Sequence, residues 1–500
     1  MKMNILKVST ISLLLAMWPC SRILAQAEPC TCEPNVSLAK LWWPEERNVW
    51  TPIGWRDHFF KFNVVYDGAI VFEPFSPTSS RPQAFPYKGQ GFQATFIPWP
   101  NENIPALPDQ ETTLWTQGDG GQGLQGWDTN YVSPVLWTDY PCQEGIVFRV
   151  ETFGHVEGGG PVKTGLEPYY AWIRVSVIHV DPLSAPKQFP MIVQLSRDYY
   201  APVGRYFNDN GVTVDVVPEW APYPRKLSAE PFMDNGKSGI RVVEPDGKIR
   251  FVVLPTSPGK VSFFERSKGI YGLKLMMRAK VGDSVDLLMP MFPEPKAEVA
   301  AEQSLTYNGA LAQSEAFWKP VLDSGTASFH VPEDYINQMV RHTVMLSLLN
   351  TQRDPENGDY TFCTGSWGYD ELWPTPVSMV SHMFLSLLGY EKVVDKYSEL
   401  YRRHQGEVHP PGADYKNIKG YFASPPHVRA IDWLSDHGAV MLQVSTEALL
   451  SNDPKFIAEW TEPIVKACEF IENACAQTNH DGVKGLLPPA VATDAGIPTQ

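Results

Sequence analysis

Residues 438–476 read GAVMLQVSTEALLSNDPKFIAEWTEPIVKACEFIENACA, and their pattern decides the fold. Gly438 to Leu450 is apolar all round except at Gln443, Ser445, Thr446 and Glu447, which predicts a helix buried on most sides. Asp453-Pro454 then starts a second helix whose apolar stripe is Ile457, Trp460, Ile464, Cys468, Ile471 and Cys475. Pro463 inside that stripe predicts a kink or a break. An inner apolar helix followed by an outer amphipathic one makes a helical hairpin.

Upstream, the same period of three to four continues. Glu391 to His404 and Val377 to Leu388 read as helices, the latter ended by Gly389. Ile336, Met339, Val340, Val344 and Leu348 form a stripe that begins at Pro332-Glu333-Asp334. Glu302 to Leu322, carrying Phe317 and Trp318, reads as a helical linker. Before about residue 300 the period changes to two. Phe60 to Val65 and Ala69 to Phe72 flank Asp67-Gly68, a two-residue hairpin signature. Trp172 to Val177 alternates, and Ile240 to Val243 and Ile249 to Leu254 flank the turn Pro245-Asp246-Gly247. Many short strands separated by Pro and Gly predict an antiparallel β-sandwich. The expected order is β then α: a signal segment over 1–27, a sandwich over 28–300, a linker over 301–330 and helical hairpins over 331–500.

Composition agrees with such an architecture. The 500 residues are 43% hydrophobic and 12% aromatic, which suffices for more than one core and argues against disorder. A net charge of −15 excludes nucleic acid as a partner, since nothing would neutralise its phosphates. Lys2 and Lys7, the apolar run Ile11 to Trp18 and Ala25-Gln26-Ala27 read as an export signal. Its removal would take away Lys2, Lys7 and Arg22 and leave −18. The run is too short to span a bilayer, so a secreted or periplasmic protein without a membrane partner is expected. Of the cysteines, Cys30, Cys32, Cys142, Cys363, Cys468 and Cys475 would survive cleavage. Cys468 and Cys475, seven residues apart on one helix, lie about 10 Å apart and cannot pair.

Most local motifs carry no chemistry. Gly118-Asp119-Gly120-Gly121-Gln122-Gly123 fits a dinucleotide fingerprint but lacks the preceding strand and following helix, so it reads as a loop and no cofactor is expected. Gly365-Ser366-Trp367-Gly368 lacks the glycine of a nucleophile elbow, where Thr364 stands. His404 and His409 form a pair without a third ligand, and Cys30-Thr31-Cys32 has no second ligand pair, so no metal is expected.

What remains is aromatic rings beside carboxylates on loops between helices: Trp367-Gly368-Tyr369-Asp370-Glu371-Leu372-Trp373, and Asp432-Trp433-Leu434-Ser435-Asp436 at the head of the buried helix. A third loop, Gly485-Leu486-Leu487-Pro488-Pro489, leads to Asp494. Sugars offer apolar C–H faces and hydroxyl edges, which flat rings and carboxylates complement. Cleaving a glycosidic bond needs one protonated acid and one carboxylate. Each cluster also has a plainer reading, since Trp and Tyr serve in cores and Asp436 reads equally well as a helix cap.

Tyr369-Asp370-Glu371-Leu372-Trp373-Pro374 with its helix to Leu388-Gly389-Tyr390, and Asp436-His437-Gly438 through Asn452-Asp453-Pro454 to Ala476, resemble the six-hairpin glycosidases. That group holds glucoamylase, maltose phosphorylase and the α-rhamnosidases. The resemblance implies an N-terminal super-β-sandwich, a linker helix and an (α/α)6 toroid, of which about three hairpins fall within these residues. The chain thus reads as stopping in mid-domain. The resemblance also implies a carbohydrate substrate held by Trp367, Tyr369, Asp370, Glu371, Trp373, Asp432, Trp433 and Asp436. Asp494 is the candidate general acid of an inverting glycoside hydrolase, with its second carboxylate beyond Gln500. Two departures weaken it: Trp373-Pro374-Thr375-Pro376 lacks the Arg-Asp that many relatives carry, and no acid follows Pro489 before Asp494. They favour an alternative, a non-catalytic glycan-binding surface protein. A polysaccharide lyase is the third reading, although there the toroid usually precedes the sandwich.

Overall fold

The computed structural model describes residues 50–500 apart from several very short stretches and the segments 73–90, 99–124, 129–133, 197–205, 208–212, 215–222, 255–260, 366–370, 429–431 and 494–497. Its first part is two large antiparallel sheets. One has seven strands in the order Trp50–Ile53, Phe62–Val65, Ile70–Phe72, Phe92–Pro98, Gln188–Ser196, Ile270–Arg278 and Val261–Ser267. The other has eight, in the order Ser228–Asp234, Lys237–Val243, Ile249–Val253, Ser284–Pro290, Tyr169–Val180, Ile146–Val156, Leu136–Pro141 and Gln125–Trp127. A shared core of Phe62, Phe72, Phe92 and Phe96 against Ile173, Val175, Phe251 and Leu287 joins them, every one of these side chains at most 1% exposed.

The turns bear the sequence out in kind. Lys237–Val243 pairs with Ile249–Val253 across a turn in which the Gly247 N–H donates to the Glu244 carbonyl at 2.9 Å and Gly247 takes φ +85°. The strands around Gly68 also pair, but Val64 faces Ile70, so the connection is longer than the two residues expected. Gly68, at φ +80°, is required there because a Cβ would lie 1.9 Å from the Tyr140 Oη. In Tyr169–Val180 the alternation sorts side chains onto two faces, both buried near the start of the strand. Ala171 and Ile173 face the inter-sheet core, while Tyr170 and Trp172 face a second cluster with Val299, Tyr307 and Ala310.

That second cluster is where the helical part attaches. Helix α1 (Lys296–Ser304) and helix α2 (Thr306–Leu322) lie on the outer face of the eight-stranded sheet, parted at Thr306, which takes φ +61°. Glu302 of α1 accepts from Trp172 Nε1 at 2.6 Å and contacts His155 Nδ1 at 2.7 Å, all three side chains being buried. The linker is thus two helices pinned by a buried carboxylate. Burial of Trp172 and Tyr307 adds several kcal/mol of apolar contact, at about 25 cal/mol per Å².

The helices beyond are α3 (Asp334–Leu349), α4 (Pro374–Pro376), a π-helical stretch Val377–His382, α5 (Met383–Leu387), α6 (Glu391–Arg403), α7 (Ser435–Ser451) and α8 (Pro454–Cys475). A hairpin of Thr351–Arg353 and Tyr360–Phe362 follows α3. No helix among the described residues is long and apolar enough to cross a membrane.

Three helical expectations need correction. On α3, Val344 and Leu348 are buried but Met339 is 57% exposed, so the stripe narrows. On α7 the burial is mixed: Val440 and Val444 are buried as expected, but Gln443 and Glu447 are also 1% exposed while Leu442, Leu449 and Leu450 face outward. Ser378 Oγ donates to Gln443 Oε1 at 2.5 Å and Gln443 Nε2 donates to Ser398 Oγ at 2.8 Å, so a polar seam holds the π-helical stretch, α6 and α7 together. On α8 the buried face is Phe456, Trp460, Ala467, Phe470 and Ala474, sharing only Trp460 with the predicted stripe. The helix runs through Pro463 without interruption, and Gln405 Nε2 donates to the Pro463 carbonyl at 2.8 Å. Its start is as read: Asp453 accepts from Lys455 N at 2.8 Å, with Pro454 in the first turn. Among the described residues, Cys363, Cys468 and Cys475 form no disulfide with one another. Cys30, Cys32, Cys142 and Gly118 to Gly123 lie outside the described residues, as does the segment read as an export signal.

Candidate functional site

Two helices begin side by side, α4 at Pro374 and α7 at Ser435, and the candidate site is built on the loops that feed them. Leu372 is held in place when its N–H donates to the Val428 carbonyl and its own carbonyl accepts from Ser424 Oγ, each at 2.8 Å. Trp373 follows it. Trp433 precedes α7, and the two indoles stand 6.4 Å apart between centroids at 36°. Trp373 is 8% exposed, whereas Trp433 and Asp432 keep partial access to solvent.

Asp436 links the two helix starts. Its Oδ1 accepts from Thr375 N at 2.9 Å and from Thr375 Oγ1 at 2.7 Å, while Oδ2 accepts from Trp433 N at 3.2 Å. It lies inside the first turn rather than at the cap position, which Leu434 occupies without a side-chain bond. The side chain is fully buried, and that burial raises its pKa from 3.8 to about 6 in spite of the three donors, with Asp432 adding like-charge repulsion. Thr375, between Pro374 and Pro376, is therefore the partner of the buried acid. Sequence reading passed over it, because a threonine between two prolines carries no signal of its own.

Glu371 is 1% exposed, and its carbonyl accepts from Thr364 N at 2.9 Å. His437 is locked as a neutral imidazole: Nδ1 accepts from Phe422 N at 2.9 Å, Nε2 lies 3.2 Å from the Ala467 carbonyl, and burial lowers its pKa to about 4. Deeper between α5, α6 and α7, His382 is pushed down to about 3 by burial. Glu447 is held protonated far above the usual carboxylate range by burial and by the neighbouring Asp395 carboxyl. These groups face the interior rather than solvent.

The third loop closes in from the other side. Leu434 N donates to the Val491 carbonyl at 2.8 Å and Ser435 N to the Ala492 carbonyl at 3.4 Å, so residues 490–492 lie against the start of α7. Of the predicted site residues, Glu371, Trp373, Asp432, Trp433 and Asp436 fall on these adjoining loops. Trp367, Tyr369, Asp370 and Asp494 lie outside the described residues. A cavity of about 560 Å³ sits elsewhere, lined by Arg56, Glu157, Glu302, Gln313 and Phe317 among others and by none of the predicted site residues.

No known family pattern and no curated protein matches the chain. Solved structures similar to it include the family GH92 α-mannosidase of Bacteroides thetaiotaomicron bound to mannoimidazole, at 11% identity and a TM-score of 0.31 over 83% of this chain, and the same enzyme without it, at 10% and 0.30 over 81%. The chain spans 55% of the length of both.

Proposed function

We infer that this chain is part of a carbohydrate-active enzyme, an exported glycoside hydrolase working on oligo- or polysaccharide with inversion. In this reading the helices are the first hairpins of an (α/α)6 toroid. The observation that carries it is the junction of α4 and α7, where two indoles flank a buried carboxyl whose pKa lies near 6. Partly exposed Trp433 and Asp432 would meet the sugar, with Trp367, Tyr369 and Asp370 joining from the preceding loop. Asp494 is the proposed general acid; support comes from the backbone bonds that bring residues 491 and 492 to this junction. An inverting partner carboxylate would stand roughly 6.5–9.5 Å from it, leaving room for water.

One observation favours the non-catalytic reading. Both oxygens of Asp436 are engaged by protein donors, which suits a fixed binding wall better than a proton-transfer group. Reducing-sugar release from a panel of glycans by the complete gene product, against Asp494→Asn and Trp433→Ala, decides between them. Hydrolysis lost in Asp494→Asn supports the enzyme, and unchanged turnover removes Asp494 from its role. Glycan binding that depends on Trp433 without any hydrolysis selects the binding protein.

A further inference from the structure

His404 and His409, close in sequence but without a third ligand, take separate roles in the fold. His409 contacts backbone carbonyls, Nδ1 that of Pro410 at 2.7 Å and Nε2 that of Tyr415 at 3.0 Å. His404, just past the end of α6, instead meets Asp359 from the hairpin after α3 and His427 from the loop before α7. His404 Nε2 and His427 Nε2 each lie 3.2 Å from Asp359 Oδ2, and the three ligand atoms all fall within 4.8 Å of one another. We propose that Asp359, His404 and His427 form a binding site for one divalent first-row transition cation, with Zn²⁺ as its representative.

Three features fit a metal at this cluster. First, the ring nitrogens of His404 both face carboxylates, Nε2 facing Asp359 and Nδ1 facing Glu407 Oε2 at 2.6 Å. A neutral imidazole has a single N–H and would set lone pair against lone pair at one of the two contacts, so only a doubly protonated ring or a cation on one nitrogen satisfies both. A cation on Nε2 removes the conflict and leaves Nδ1–H to donate to Glu407, the carboxylate–histidine–metal arrangement that fixes a ligand's tautomer. Second, ligand bonds of about 2.0–2.2 Å around a tetrahedral ion place neighbouring ligand atoms about 3.3 Å apart, so the two Asp359–histidine separations, which are also hydrogen-bond lengths, already suit an ion without rearrangement. Third, the donor set of two imidazoles and one carboxylate suits zinc and its neighbours, while calcium and magnesium prefer oxygen alone.

The surroundings fit. Asp359 is 2% exposed by its side chain and its second oxygen pairs with Arg403, which orients it and balances its charge. Its loop is braced where Asp354 N donates to the Asp359 carbonyl at 2.7 Å and Asp359 N donates to Asn357 Oδ1 at 2.8 Å. The histidine side chains are 23% and 22% exposed, which leaves an opening for the ion and for a water as fourth ligand. The ion would cross-link the hairpin, the end of α6 and the loop leading to Trp433. The assignment is independent of the glycan reading.

The test is a zinc titration of the full chain by calorimetry after chelator dialysis, with thermal unfolding and Co²⁺ absorption in parallel. One ion per chain, a Tm that rises with zinc, and weak cobalt d–d bands without thiolate charge transfer are expected. His404→Ala and His427→Gln should each weaken binding by more than tenfold and abolish the rise in Tm, and Glu407→Gln should weaken binding roughly tenfold. Circular dichroism checks folding; should His404→Ala not fold, His427→Gln and Glu407→Gln decide. Absence of stoichiometric binding by the folded native chain, binding unchanged in the histidine variants, or a cobalt–thiolate band overturns the assignment.

Discussion

Replacing Asp436 by asparagine removes a buried charge while keeping the side chain's shape. The carboxyl is fully buried and its pKa rises from 3.8 to about 6 on folding. Because the folded value is the higher one, the native state holds its proton more tightly than the unfolded chain. The stabilisation is therefore complete below pH 3.8 and is lost as pH rises through 6. At 1.36 kcal/mol per pH unit the whole loss is about 3 kcal/mol, of which about half falls between roughly pH 5 and 7.5. The substituted amide is uncharged at every pH; its oxygen can keep the two Thr375 bonds, while its NH2 gives up the weaker acceptor contact with Trp433 N, so the full gain is an upper bound. Asp436→Asn should therefore stabilise the α4–α7 junction by up to about 3 kcal/mol at pH 7.5, and by about half as much near pH 5. Hydrogen exchange of peptides covering residues 372–388 and 432–451 reads this local opening energy directly. A variant that exchanges faster than the native chain at pH 7.5, or a difference that does not change with pH, would refute the reasoning. A stabilising variant would mean that the charge is kept at a cost to the fold, as expected of a working site.

Asp57, 5% exposed, accepts from Tyr397 Oη at 2.5 Å and pairs with Lys396, tying the sandwich to α6; Asp57→Ala should cost about 2–3 kcal/mol in urea unfolding by leaving the buried phenol unsatisfied. Gly389 ends α5 at φ +83°, where a Cβ would lie 1.9 Å from Thr326 Oγ1 and 2.4 Å from Thr326 N. Gly389→Ala should lower stability by about 3 kcal/mol, read as a drop in Tm. Glu447 is held protonated in the fold, so its contribution is present at acid pH and fades as pH rises from its ordinary value of 4.5 towards the raised one. Glu447→Gln should flatten the decline of Tm between about pH 6 and 9, and an unchanged slope would count against the buried acid.

Legibility followed the range of the interaction concerned. The Pro245-Asp246-Gly247 turn, the start of α8 at Asp453-Pro454 and the stop at Gly389 were readable because each is decided within a few residues by backbone geometry and one side chain. The change from period two to period three or four near residue 300 likewise separated the sheets from the helices. That Trp373, Trp433 and Asp436 would fall on adjoining loops was not legible, since rings also serve in cores and Asp436 reads equally well as a helix cap.

What a helix turns inward was not legible. On α7 the apolar count suggested burial, yet Gln443 and Glu447 went in and three leucines out; Ser378 and Ser398 on neighbouring helices supply the partners that make burial of Gln443 favourable, while Glu447 goes in as a protonated acid beside the Asp395 carboxyl. The buried face of α8 shifted for a similar reason, its neighbours rather than its own period choosing the side. Thr375 and Asp436 are 61 residues apart in the chain, and Asp359 and His404 are 45 apart, so no spacing rule could have joined them. By itself, then, the sequence determined several turns and helix ends and the order of sheets before helices, since these follow from local backbone preference and residue type. Which side chains meet was decided only by the tertiary structure, because burial energy and hydrogen-bond satisfaction belong to pairs of surfaces rather than to one segment.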